Sequence, residues 1–358
     1  MIRVAFYAPM KAPDDPLPSG DRAMARGLIS ALEAGGMHVD LASRFKSRES
    51  SGNADLQAEY LRKAQDEVRR VSEAGRKSGW QVWLTYHNYY KAPDLIGPFV
   101  AELLGIPYLL AEATRARKRL TGPWERFAQA AETACDAAKV IFFMTRHDEE
   151  ALRAYAGPEQ QLISLRPFLS RSFLPAPAKK TEGLLSVGMF RRGDKIASYA
   201  LIAQALTQVR NRDWTLDIAG DGPARSEVEA LFAQFGSRVR FLGALDDKTL
   251  QAAYARSTIL VWPGVNEAFG MSYLEAQAHG LAVVAQDRPG VRDVVFSGAA
   301  YPRPEQGPGG LADRLDLLLS SPKLTWHIGQ SARAHIEKHN LISDASATLL
   351  DKIQEVVA

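Results

Sequence analysis

Short apolar runs alternate with stretches of helical period along almost the whole chain. In the first half the runs are RVAFYA, HVDLAS, QVWLTYH, PYLLAE and KVIFFM; in the second they are GLLSVG, WTLDIAG, RVRFLG, TILVWPG and LAVVAQD. Each is short and rich in β-branched or aromatic residues, as in strands buried on both faces. Apolar residues recur at helical spacing in between, over 22–34, 197–209 and 225–235. The alternation predicts right-handed β-α-β units and parallel sheets. The segment PFLSRSFLPAPAKKTEG, residues 167–183, has three prolines, two lysines and no clear period, so it reads as a linker. The fold class expected is therefore α/β, with two Rossmann-like domains facing each other across a cleft that receives the carboxyl ends of both sheets. We place the first domain at 1–175 and the second at 176–340.

A chain of 358 residues is too long for one ordinary core and suits two domains. Hydrophobic residues make up 46% and charged residues 24%, a globular composition. Lys plus Arg is 44 against 41 for Asp plus Glu, and the resulting +3 does not point to nucleic acid. The lone Cys135, in AAETACDAAK, favours a reducing compartment and reads as a small buried residue. No His or Cys cluster has zinc-ligand spacing, and no apolar run approaches a membrane span. The N-terminus runs straight into IRVAFYAP, too short and too soon for a signal peptide. A cytoplasmic protein is expected, with any membrane contact peripheral.

The chemistry concentrates in NEAFGMSYLEAQAHG, residues 266–280. The surrounding sequence reads strand, loop, helix, strand, with the loop at 264–269, a helix start near 270–272 and Gly280 placed to end it. The amides of Phe269, Gly270 and Met271 would then stand unpaired at a helix N-terminus, which suits a diphosphate. Glu267 falls in the loop and Glu275 about one turn into the helix. Carboxylates only accept hydrogen bonds, so the pair can read hydroxyls on both sides of that anion. A helix-start acid followed by a solvated Glu is the plainer reading of the same spacing.

EAFGMSYLE matches the E-x7-E motif of retaining glycosyltransferases of the GT-B fold, family four. The flanking ARSTILVWPGVNEAFGMSYLEAQAHGLAVVAQDRPGVRDVV resembles that family, as do LDIAGDGPARSEVEAL and VRFLGALDDKTLQAAYARS. The resemblance is firm over about 184–295; in the first half it rests on strand order. It implies that the second domain holds a nucleotide sugar and the first an acceptor, with Glu267 on the transferred sugar and Glu275 on the nucleotide ribose. It also implies that Ala268, Phe269, Gly270 and Met271 line the donor site. In such proteins the last helix crosses back to the first domain, and ISDASATLLDKIQEVVA, within 341–358, is the match here.

The resemblance places an Arg and a Lys after the first strand of the second domain, both reaching the diphosphate. In SVGMFRRGDKIASYALIAQAL these are Arg191 and Lys195, although Met189 stands where the family's Arg directly follows the glycine, and Arg192 is an alternative to Arg191. Fixed cations there would stabilise the charge growing on a leaving nucleoside diphosphate. The plainer reading is a solvated basic turn with Asp194 as the helix N-cap. In AGDGP the resemblance places Gly220 and Asp221 beside the donor, while a tight turn also explains the two glycines. The base is expected near 241–245.

On the acceptor side, the glycine-bearing loop of the family corresponds to Gly20, at a helix start after YAPMKAPDDPLPS. His87, at the end of a strand in LTYHNYYKAPD, has polar aromatic neighbours that suit a sugar, or is a satisfied structural histidine. Family members often carry a His after the next strand; in IPYLLAEATRARKRL none stands there, and Glu112 is the polar candidate. It would orient a sugar hydroxyl, or act as a base if burial raised its pKa. RARKRLTGPWERF gathers Arg115, Arg117, Lys118, Arg119 and Arg126 with Trp124 and Phe127. That composition suits a solvated basic loop, or contact with an anionic membrane surface or lipid-linked acceptor.

The function expected is transfer of a sugar from a nucleoside-diphosphate sugar to a carbohydrate or lipid-linked acceptor. By the resemblance the anomeric configuration is retained and the product is a surface polysaccharide or glycolipid. No cofactor is expected; with no strand-end Asp-x-Asp, the diphosphate is expected to be neutralised by Arg191, Lys195 and amides rather than by a metal. The rivals are a catalytically inactive homologue that binds a nucleotide sugar, and a nucleotide-sugar epimerase or sugar phosphorylase of the same fold. A Rossmann dehydrogenase is disfavoured, because APMKAPDDPLPSG follows the first strand instead of G-x-G-x-x-G.

Overall fold

The structure is a computed structural model that describes residues 1–17, 19–181, 183–296 and 301–358. Glu182, in the expected linker, lies outside the described residues. Two compact units are present: 1–170 with 342–358, and 171–341.

The first unit contains strands β1 (Arg3–Tyr7), β2 (His38–Ser43), β3 (Val82–Asn88), β4 (Tyr108–Ala113), β5 (Val140–Phe143) and β6 (Gln161–Ser164). Its helices are α1 (Gly20–Ala34), α2 (Ala54–Ser78), α3 (Gly97–Leu104), α4 (Glu125–Ala137) and α5 (Arg146–Tyr155). The strands form one parallel sheet in the order β2-β1-β3-β4-β5-β6. Their side chains are buried on both faces: Val4, Phe6, Trp83, Leu84, Leu109, Leu110, Ile141 and Phe142 are all inaccessible. Helices therefore cover both faces.

The second unit contains β7 (Leu184–Val187), β8 (Leu216–Ala219), β9 (Val239–Gly243), β10 (Ile259–Val261) and β11 (Ala282–Val284). They pair in parallel in the order β11-β10-β7-β8-β9. The helices are α6 (Asp194–Gln208), α7 (Arg225–Phe232), α8 (Asp247–Arg256), α9 (Met271–Ala278), α10 (Pro289–Arg292), α11 (Gly307–Leu319) and α12 (Pro322–His339). The last helix, α13 (Ile342–Val357), packs on α1 in the first unit.

The ten apolar runs all became strands. β6 was not anticipated: QLIS is short, half-exposed and at the sheet edge.

Each strand order reverses direction once, between β1 and β3 and between β7 and β10. At such a reversal the loops leave to opposite faces and open a crevice beyond the carboxyl ends. Gly20 and His87 follow or end the strands of the first reversal, and Lys195 and Glu267 follow those of the second.

Candidate functional site

In the second unit, the loop after β10 is fastened to the first turn of α6. Lys195 Nζ donates to Glu267 Oε1, and Trp262 Nε1 donates to the same oxygen at 3.0 Å. Lys195 also lies 5.2 Å from the centre of the Trp262 ring. Asn266 Nδ2 donates to Asp194 Oδ1 at 2.9 Å, and the Val265 amide donates to Ser198 Oγ at 3.2 Å. Positions 194, 195 and 198 fall on one side of the helix start, so one turn of α6 sets the loop. Asp194 is not the N-cap: Gly193 takes that place and no side chain caps the helix.

Gly270 is the N-cap of α9, with φ 65, a left-handed conformation that glycine adopts without strain. No side chain caps this end. Among the described residues the amides of Phe269, Gly270 and Met271 donate to no backbone carbonyl, which leaves donors without a backbone acceptor at the positive end of a helix dipole. Ala268, in this loop, is exposed. Gly290 of α10 lies so close beneath it that a Cβ there would stand 2.1 Å from the Ala268 carbonyl oxygen and 2.2 Å from that of Glu267.

Glu275, on the next turn of α9, does not stand free. Arg171 grips both its oxygens at 2.7 and 2.8 Å, and Gln251 Nε2 donates to Oε2 at 3.1 Å. Burial raises its pKa, and the Arg171 charge works against that rise. Arg191 is exposed without a side-chain partner among the described residues, while Arg192 pairs with Glu227 on the surface. Gly220 packs against the β7–α6 loop, where a Cβ would stand 1.9 Å from the Gly188 carbonyl oxygen. Asp221 turns to the start of α7, accepting from the Gly222 amide at 2.7 Å and from Arg225 at 3.0 Å.

In the first unit, His87 and Glu112 come together at the ends of β3 and β4. His87 Nδ1 is 3.2 Å from Asp21 Oδ1 and 4.0 Å from Glu112 Oε1. Asp148, held by Thr114 and Thr145, adds a further negative charge nearby. Burial disfavours the imidazolium, but Glu112, Asp21 and Asp148 outweigh it and raise the His87 pKa to about 9. Burial raises the Glu112 pKa in turn. Glu112 Oε2 is buried without a hydrogen-bond partner. His87, Glu112 and Asn266 have φ of 66, 58 and 48, the positive-φ residues other than glycine among the described ones. Such conformations cost on the order of 1–3 kcal/mol each and cluster where a site needs them. Gly20 opens α1 behind its Ser19 cap, with empty space where a Cβ would project.

The basic segment 115–127 divides. Arg115 is buried between Glu132 and Asp136, both at 2.7 Å, and Trp124 and Phe127 enter the core. Arg117, Lys118 and Arg126 remain exposed. Arg126 edges a cavity of 780 Å³ shared with Leu120, Phe99 and Leu103. Cys135 is buried, and burial pushes its thiol up to about 12, as befits a structural residue.

Sequence reasoning missed Asp21, Arg171, Gln251, Trp262 and Gly290. Arg171 stands inside the expected linker, and only Gly290, in RPGVRD directly after a strand, carried a local signal.

Residues 181–321 match the family described as glycosyl transferases group 1. The chain is similar to the alpha-D-kanosaminyltransferase of Streptomyces kanamyceticus, 26% identical over 268 residues, 69% of this chain and 68% of that protein. It is 33% identical over 131 residues to the sulfoquinovosyl transferase SQD2 of Arabidopsis thaliana, 34% of this chain and 24% of that protein. Among solved structures, sucrose-phosphate synthase from Thermosynechococcus elongatus superimposes with a TM-score of 0.76 over 99% of both chains at 18% identity. Anabaena Alr3699/HepE in complex with UDP-glucose gives 0.72 over 99% of this chain and 100% of that one, at 14% identity. The fold is therefore GT-B, and the comparisons support a group 1 glycosyltransferase.

Proposed function

We propose that this chain transfers a sugar from a nucleoside-diphosphate sugar to a carbohydrate or lipid-linked acceptor with retention of configuration, in the synthesis of a surface polysaccharide or glycolipid. The observation that carries the reading is the pairing of Lys195 with Glu267 at the β7–β10 reversal, beside the uncapped start of α9. A diphosphate there meets the amides of Phe269, Gly270 and Met271 and the cations Lys195 and Arg191. Those groups offset the charge that develops as the bond to the sugar breaks, without a metal. Glu267, steadied by Trp262, is left to accept from hydroxyls of the transferred sugar. Glu275 reads the ribose once Arg171 shares it. The UDP-glucose bound by the HepE neighbour makes a uridine donor the first to try.

His87 and Glu112 supply the acceptor side, where Glu112 Oε2 is a buried acceptor left without a hydrogen-bond partner. Arg126, beside Phe99 and Leu103, and the exposed Arg117 and Lys118 support peripheral contact with an anionic membrane surface from the cytoplasmic side. One observation favours a second reading: Arg171 already occupies both oxygens of Glu275. A homologue that binds a nucleotide sugar without turning it over would retain such a clamp.

The experiment is release of nucleoside diphosphate from UDP-, GDP- and ADP-glucose in the presence of EDTA. Release with one donor, lost in Glu267→Gln, is the expected result. Binding without release selects the second reading, and release that needs added metal refutes metal-free neutralisation.

A further inference from the structure

At the far end of α9 lies a cavity of 460 Å³, away from Lys195 and Glu267. Its walls are apolar, from Pro177, Ile259, Leu318 and the 60% exposed Trp326. Two cations enter it, Lys180 and Arg333. Lys180 Nζ donates to the His279 carbonyl at 2.8 Å and the Tyr254 carbonyl at 3.3 Å. Arg333 donates to the Ala278 carbonyl and, at 2.7 Å, to that of Pro175. Both therefore face the negative end of α9. Among the described residues neither has a carboxylate partner.

The neighbouring charges do not supply one. Arg171 is a third cation, and Glu275 is already in its grip. His279 joins the two regions, with Nε2 2.7 Å from Gln251 Oε1. Burial and the charges of Lys180, Arg171 and Arg333 push its pKa down to about 4, so it stays neutral. Burial, then Arg333, pushes Lys180 down to about 8. Positive charge is thus held half-buried against an apolar wall, a costly arrangement unless an anion accompanies it.

We propose that this cavity binds a small amphipathic anion, its phosphate or carboxylate on Lys180 and Arg333 and its apolar or aromatic body between Leu318 and Trp326. The site is separate from the donor site and does not depend on the transferase reading. A bound anion keeps Lys180 protonated, so affinity falls as pH rises through about 8. Of the groups acting on Lys180, Arg333 is a further cation, and His279 is neutral throughout that range.

The test is calorimetric titration with 1-naphthyl phosphate, 1-naphthol and inorganic phosphate. The native protein should bind 1-naphthyl phosphate at least about tenfold more tightly than either fragment, the scale of one charge-assisted hydrogen bond. Lys180→Gln and Trp326→Ala should each weaken it by about tenfold, and Lys195→Ala should leave it unchanged. Trp326 is exposed, so that variant reports even if Lys180→Gln fails to fold. The proposal is overturned by absence of binding, by equal binding of either fragment, by indifference to both cavity variants, or by loss in Lys195→Ala.

Discussion

Gly290→Ala is a one-methyl change whose effect the structure allows to be worked out. The new Cβ would stand 2.1 Å from the Ala268 carbonyl oxygen and 2.2 Å from that of Glu267, both backbone atoms. Van der Waals contact requires at least ~3.0 Å, so the loop must retreat by about 1 Å, since α10 is held at its other face by Val291 in the core. Overpacking of that size costs about 1–3 kcal/mol of stability. The functional cost is larger, because the displaced loop carries Glu267 and leads into the α9 amides. A misplacement of about 1 Å in a positioned group lowers turnover by roughly a hundredfold. The assay measures the melting temperature and donor-dependent release of nucleoside diphosphate on the same preparation. A variant that melts a few degrees low and turns over about a hundredfold more slowly fits the reasoning. Native turnover in a folded Gly290→Ala protein would refute it, since the loop would then tolerate displacement.

Arg171→Ala leaves Glu275 half-buried with Gln251 its one remaining hydrogen-bond partner among the described residues, and a loss of about 2–3 kcal/mol is expected in urea unfolding; a change below ~0.5 kcal/mol would show a solvated pair. His87 is raised from 6.5 to about 9 on folding, so its contribution is fully present below pH 6.5 and is lost as pH rises through 9. Up to about 3 kcal/mol of stability should disappear over that window, and Asp21→Asn should shrink the loss and lower the His87 pKa seen by NMR titration; a flat profile would contradict the cluster. Vesicles rich in anionic lipid should sediment the native protein at low salt and release it as salt rises, and charge reversal at Lys118 and Arg126 should abolish this; binding unaffected by salt would refute electrostatic contact.

The layered fold was legible because strands buried on both faces are written as uninterrupted apolar runs, such as VIFF and AVV. An edge strand carries no such run, which is why Gln161–Ser164 was passed over. The start of α9 was legible too, since its glycine cap and both carboxylates lie within ten residues of one another. Contacts over long sequence separation were not. The grip of Arg171 on Glu275 spans 104 residues, and that of Asp21 on His87 spans 66. Neither leaves a local mark, because each depends on which loops the strand order brings to one reversal. Gly290 shows the intermediate case: the glycine is visible, but its reason is a backbone more than twenty residues earlier.

The most direct measurement is thermal stability of the native protein with UDP-, GDP- and ADP-glucose, repeated on Glu275→Gln. At a hundred times its dissociation constant, a bound donor adds about 2.7 kcal/mol. Stabilisation by one nucleotide class, weakened in Glu275→Gln, is the expected result. No stabilisation by any of the three, or the same stabilisation in the variant, would contradict a nucleotide-sugar site at the start of α9.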